Sequence, residues 1–223
     1  MAEHVRPADI ERTSMSIITA ELEQMGITLP DDVAPVVKRA IHTSADFDYA
    51  KNLHFTEKAV QRGTEAFLKG TPVFTDTNMA KTGITAPGLA KLGGSKECFM
   101  ADPEVAAAAK ANGTTRAVAS MDKVAAEYPG AIIAVGNAPT ALFQIAKHMR
   151  EDGYRPSLVI AVPVGFVNVV EAKEEIFALC EELDVPCIAA FGRKGGSNVA
   201  AAICNALIYS ATDMLDPTNR GWN

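Results

Sequence analysis

The chain has 223 residues, 48% of them apolar and 6% aromatic, with 16 glycines and a formal net charge of −6. That length suits one sizeable domain with a proper core, spanning residues 1–223. An acidic balance gives nucleic-acid binding no global electrostatic support, and no apolar run approaches membrane-spanning length. The opening Met1-Ala2-Glu3-His4 has no basic-then-apolar leader, so a cytoplasmic protein is expected. Cys98, Cys180, Cys187 and Cys204 form no C-x-x-C pair and sit mostly in apolar company. They read as reduced, buried thiols rather than zinc ligands or disulfides.

The first elements are helical. Ile10, Ile17, Ile18, Leu22 and Met25 share one side of a helix that Gly26 would end. A second helix is expected over residues 31–42, and a third from Thr56 to a stop at Gly70. Beyond it the pattern alternates. Short apolar strands are expected at 72–75, 97–100, 131–135, 158–162 and 187–191. Helices are expected at 102–111 (capped by Asp102, with Pro103 at its first position), 114–128, 139–150, after Asn168, and 197–210. Strands alternating with helices predict an α/β fold: a three-layer α/β/α arrangement, an N-terminal helical segment and a mostly parallel central sheet of about five strands. The polar, Pro-containing tail, 213–223, is expected to be loosely held.

Three strand ends share a design. Val135 runs into Gly136-Asn137-Ala138-Pro139-Thr140, Val162 into Pro163-Val164-Gly165-Phe166, and Phe191 into Gly192-Arg193-Lys194-Gly195-Gly196-Ser197-Asn198. In a parallel sheet such turns gather at the carboxyl edge, the usual ligand crevice. Glycine lets a ligand approach the backbone, and the following helix points free N–H groups and its positive dipole end there. Arg193 and Lys194 suit that place to a carboxylate or phosphate. None of the turns reads G-x-G-x-x-G or G-x-x-x-x-G-K-[ST], so a nucleotide is not indicated.

Other polar residues are more ambiguous. His42 stands where an apolar helical pattern gives way to an acidic turn. Such a place suits proton transfer, and equally suits a histidine packing a helix end. The segment from Asp76 to Thr85 reads as a capped turn. Arg116 stands early in a helix, where a cation opposes the dipole; service to a ligand or acid would explain it, and so would simple solvation. Asp46 and Asp48 lack a third partner with metal spacing and read as caps or supporting acids. His54 falls in an expected loop, and His148 at a helix C-terminus needs no catalytic role. His4 is terminal and expected to be mobile. No serine elbow or cysteine–histidine pairing indicates covalent catalysis.

The three glycine turns, in this order and spacing, resemble the precorrin-8X methylmutase family of cobalamin biosynthesis. Ile41-His42-Thr43 and Asp76…Met79…Gly83-Ile84-Thr85 also match, and the resemblance runs from residue 10 to about residue 210. It implies an isomerase that moves a methyl group from C-11 to C-12 of a corrinoid ring. The product would be hydrogenobyrinic acid or its cobalt-containing counterpart, cobyrinic acid. It implies no added cofactor and no protein metal site, since any cobalt travels in the substrate ring. The family's assisting histidine maps onto His42, as a donor of a proton or hydrogen bond to a ring nitrogen. The matching binding positions are Ser14, Thr85 and Arg116. The glycine turns contribute Asn137, Gly165, Arg193, Gly195, Gly196 and Ser197 around the macrocycle's edge. Ala86 follows Thr85 where some relatives carry a basic residue, so one carboxylate contact is missing or supplied elsewhere. The family also implies a homodimer with ligand sites near the subunit interface. The alternatives are a nucleotide-dependent α/β enzyme using the 192–197 loop and a non-catalytic corrinoid carrier.

Overall fold

A computed structural model describes residues 6–220. The leader reading at residues 1–4, His4, and the last three residues of the tail lie outside the described residues. The chain opens with α1 (Pro7–Gln24), α2 (Ala34–Ser44) and one-turn α3 (Tyr49–Asn52), then β1 (Leu53–Phe55) and α4 (Ala59–Leu68). Next come β2 (Val73–Thr75), α5 (Asn78–Gly83), α6 (Ala86–Lys91), β3 (Lys96–Glu97), α7 (Pro103–Ala111) and α8 (Arg116–Glu127). The last part is β4 (Ile132–Val135), α9 (Pro139–Glu151), β5 (Leu158–Ala161), α10 (Val169–Glu182), β6 (Cys187–Ala190) and α11 (Ser197–Ala211).

The sheet has six strands in the order β1-β6-β5-β4-β2-β3, and all pairs but β1–β6 are parallel. Its central strands read as unbroken apolar runs because both faces are covered. The side-chain period of two sorts them. Ile132, Ala134, Leu158, Ile160, Ile188 and Ala190 pack on the face that carries α2, α4 and α11. Ile133, Val135, Val159, Ala161, Cys187 and Ala189 pack on the face that carries α8, α9 and α10. Helix α11 is apolar on almost every side and, apart from Asn205, is buried from Val199 to Tyr209, as a core helix must be. Its alanines at 200, 201 and 202 let α2 and α5 come close.

Several sequence expectations need correction. His54 lies in strand β1, not in a loop, and its ring stacks on Phe191 at 4.1 Å. A three-residue edge strand is too short to show alternation. The segment read as a capped turn holds one short helix, α5, and its last residue starts another, α6: Thr77 accepts from the Ala80 N–H and Thr85 from the Gly88 N–H. Asp102 does not cap α7 with its side chain; its carboxylate faces Lys123 at 3.4 Å. The strand expected at 97–100 stops at Glu97, and Phe99–Ala101 form a 3-10 turn. The tail is tied down as far as it is described. Pro217–Arg220 make a 3-10 turn, Met214 is buried, and the Arg220 guanidinium bonds Glu11 at 2.6 Å. All four cysteines are free and buried.

Candidate active site at the carboxyl edge of the sheet

The turns after β2, β4, β5 and β6 interlock. Asp76, directly after β2, is 1% exposed, and its carboxylate accepts N–H bonds from Gly136 (2.8 Å), Asn137 (2.8 Å) and Ala138 (2.6 Å). Burial pushes the carboxyl above its ordinary value, and the three amides recover only part of that. Next to it, Thr77 and Ser197 share a hydroxyl–hydroxyl bond of 2.7 Å. A side chain on Gly136 would lie 2.7 Å from the Ser197 Cα, so glycine is what lets these two turns meet. The Gly196 N–H donates to the Val162 carbonyl at 2.9 Å, and the Gly165 N–H to the Arg193 carbonyl at 3.2 Å.

Gly195 is the tightest point. A Cβ there would sit 2.1 Å from the Val162 carbonyl oxygen, a backbone atom with no flexible end to yield. Gly195→Ala is therefore expected to displace the whole turn, at a cost of about 1–3 kcal/mol, as overpacking generally does. A thermal melt beside a ligand titration checks it, and unchanged values in both would refute the close fit.

His42 occupies a neighbouring cleft. It sits in the last turn of α2, which ends at Ala45 in the left-handed conformation. The cleft, of about 260 Å³, is lined by Arg39, His42, Thr43, Gly83, Asn198, Ala201, Ala202, Asn205 and Tyr209. A helix C-terminus alone would favour a charged imidazole. Partial burial of the ring and then the Arg39 charge outweigh that, with a smaller contribution from Arg220; Glu11 opposes them, and the pKa falls below its ordinary 6.5. His42 is thus a neutral donor and acceptor at neutral pH.

A charged cluster lies beneath this cleft. Glu11 bonds Arg39 at 2.7 Å and Arg220 at 2.6 Å, and both guanidiniums lie over the Tyr209 ring, at 5.3 and 3.9 Å. Burial alone would raise the Glu11 carboxyl, but the two guanidiniums override it and the net shift is downward.

The expected site residues converge to different degrees. Asn137, Gly165, Arg193, Gly195, Gly196 and Ser197 come together on the interlocked turns. His42 joins them through Asn198, which follows Ser197 on α11, lines the cleft and reaches the Thr43 carbonyl at 3.5 Å. Thr85 joins through Asn205, whose amide accepts from the Thr85 N–H (2.8 Å) and donates to the Gly83 carbonyl (2.9 Å). Arg116, exposed at the start of α8, is set beside the Gly136 turn by the contact of Thr115 with Thr140 at 3.4 Å. Ser14 stands apart on α1, where its hydroxyl donates to the Ile10 carbonyl at 2.9 Å.

Two expectations about charge change. Lys194 is engaged, bonding Asp46 and Asp48 at 2.6 Å each, which also gives those two acids their role. Arg193 stacks over the exposed Phe166 ring at 5.4 Å. Sequence reasoning missed Arg39, Tyr209 and Lys173, and it placed Asp76 in a matching segment without reading its role as acceptor for the Gly136 turn. Arg39 was findable, being three residues before His42 on the same helix face. Among the described residues, no group of three or more His, Cys, Asp or Glu side chains converges to hold a metal ion.

A mostly parallel α/β sheet with glycine turns at its carboxyl edge and a histidine in the adjoining cleft defines an α/β protein with a candidate ligand site at that edge. Comparison with known proteins makes this specific. The family model for precorrin-8X methylmutase (CbiC) matches residues 9–210, and the chain belongs to that family, whose members are isomerases that transfer a methyl group within one molecule. The chain is 41% identical over 203 residues to a cobalt-precorrin-8 methylmutase of Priestia megaterium, covering 91% of this chain and 88% of the relative. It is also 41% identical over 211 residues to a protein of the same name from Salmonella typhimurium, covering 92% and 95%. The crystal structure of precorrin-8x methyl mutase from Thermus thermophilus superposes with a TM-score of 0.82 at 37% identity, covering 92% of this chain and 98% of that one.

Proposed function

We propose that this protein moves the methyl group of precorrin-8X or cobalt-precorrin-8 from C-11 to C-12, giving hydrogenobyrinic acid or cobyrinic acid in cobalamin biosynthesis. The observation that carries this reading is the junction of the interlocked glycine turns with the His42 cleft, in a chain that belongs to the methylmutase family. The substrate is flat, large and rimmed by carboxylates. Backbone N–H groups, Arg116, Arg193 and Arg39 are suited to that rim. No added cofactor takes part, and any cobalt arrives in the ring.

His42 donates a proton or a hydrogen bond to a ring nitrogen near the migrating methyl. That withdraws electron density from the macrocycle and lowers the barrier. Substrate carboxylates entering beside Arg39 would offset the charge that holds the His42 pKa down, so protonation can follow binding. The protein works as a homodimer. Supporting this, α1 exposes Ile10 and Ile17, 49% and 52% accessible, on the stripe that also holds Ser14. A second copy seated there would lie against Ser14.

The direct test is absorbance of either corrinoid substrate mixed with purified protein. The spectrum is expected to shift to that of the methyl-migrated product. Binding without any spectral conversion would favour a corrinoid carrier, and thermal stabilisation by nucleotides alone would favour a nucleotide-dependent enzyme.

A further inference from the structure

We infer that Lys173 is a positioning residue for the substrate-binding turn after β6: its buried ammonium holds that turn open toward the substrate's carboxylates. The inference rests on the reading of this turn as a seat for the corrinoid rim.

Lys173 lies on the inward face of α10, in line with Val169, Ile176, Phe177 and Cys180, and is 0% exposed. Among the described residues it meets no carboxylate. Its Nζ donates to two backbone carbonyls, Gly192 at 2.9 Å and Lys194 at 2.8 Å. A buried charge without a counter-ion is costly, and an apolar side chain would fill this place at less cost. Its position therefore calls for a reason, and the turn supplies one.

Drawing two carbonyls inward leaves the turn's amides facing away from them. Among the described residues, the N–H groups of Gly192, Arg193, Lys194 and Gly195 meet no acceptor. Helix α11, which follows, starts at Gly196 without a side-chain cap. The ammonium thus orders the strip of backbone that a carboxylate would approach. It also adds positive charge under that strip, which Lys194, neutralised by Asp46 and Asp48, does not. Burial lowers the Lys173 pKa from 10.5 to about 8, so the charge can be lost within an accessible pH range. The other titratable or charged groups nearby are Arg193, Lys194, Asp46 and Asp48 at the turn, His54 behind Phe177 and Phe191, Cys180 and Cys187, and the Arg150–Glu175 pair on the α9 side.

The experiment compares wild type with Lys173→Met, which keeps the length and removes the charge. Product corrinoid is titrated by absorbance, and KM and kcat are measured separately, from pH 6.5 to 9.5. Lys173→Met is expected to raise KM and the product Kd about tenfold or more while kcat changes far less. Wild-type affinity is expected to weaken as pH rises through about 8, with the variant flat across that range. Equal KM in the two proteins, or the same pH profile in both, would overturn the inference. If Lys173→Met does not fold, wild type alone decides: affinity lost around pH 8 without a fall in melting temperature supports it, since a lysine whose pKa is lowered on folding adds stability as pH rises above about 8, and flat affinity refutes it. Wild type that neither binds nor converts the corrinoid would instead sink the proposed function itself.

Discussion

His42→Ala is expected to bind the corrinoid and fail to turn it over, with kcat lower by roughly a hundred- to ten-thousandfold, the usual worth of a positioned acid. The Kd for product should move little, because the interlocked turns and Arg39 remain. The pH profiles sharpen the test. In the free protein burial and Arg39 hold His42 below 6.5, so it is charged only on the acid side of that value. If His42 acts as an acid, kcat/KM, which reports free enzyme, falls as pH rises through a value below 6.5. The kcat profile reports the complex, where substrate carboxylates offset Arg39, and should hold to higher pH. Stopped absorbance measurements across pH 5–8 separate the two limbs. Full activity in His42→Ala would end the proposal for this residue.

Glu11→Ala is expected to be strongly destabilising. It removes the carboxylate that bonds both Arg39 and Arg220, whose side chains are 12% and 2% exposed, while both guanidiniums still lie over Tyr209. Removing one partner of a buried ion pair costs about 3–5 kcal/mol. For a chain of this size that is roughly 6–20 °C in melting temperature. The sign with pH follows from the lowered Glu11 carboxyl. Its contribution is present above the ordinary value of 4.5 and is lost as pH falls below it. Wild type should thus lose stability on acidification faster than Glu11→Ala, and the two melting curves should converge. Parallel curves at all pH values would show that the cluster does not carry this energy. Loss of Glu11 also removes the charge that raises the His42 pKa, so the kcat/KM limb should move to lower pH.

The architecture was legible because its physics is periodic. Four strands with both faces covered appear as short apolar runs between helical stripes, and glycines after Val135, Val162 and Phe191 mark the carboxyl edge. β1 was not legible, because three residues pair antiparallel with a strand more than a hundred positions away. The site was legible in its residue types but not in its partnerships. Nothing local says that Lys194 reaches back to Asp46 and Asp48, or that Asp76 accepts the amides of a turn sixty residues on. Lys173 was hidden differently. A lysine on an apolar helical stripe looks like a misplaced surface residue until the turn above it is in view.

The lengths of the two edge strands limit how copies of this chain can assemble. β1 has three residues and β3 only two, so neither border of the sheet offers a run of unpaired backbone long enough to template another strand. Growth by sheet extension, in solution or in an aggregate, is therefore blocked at both borders. Association is left to the outer helices, where side-chain fit rather than backbone pairing sets the register, so the proposed dimer should be tunable by single surface substitutions on α1.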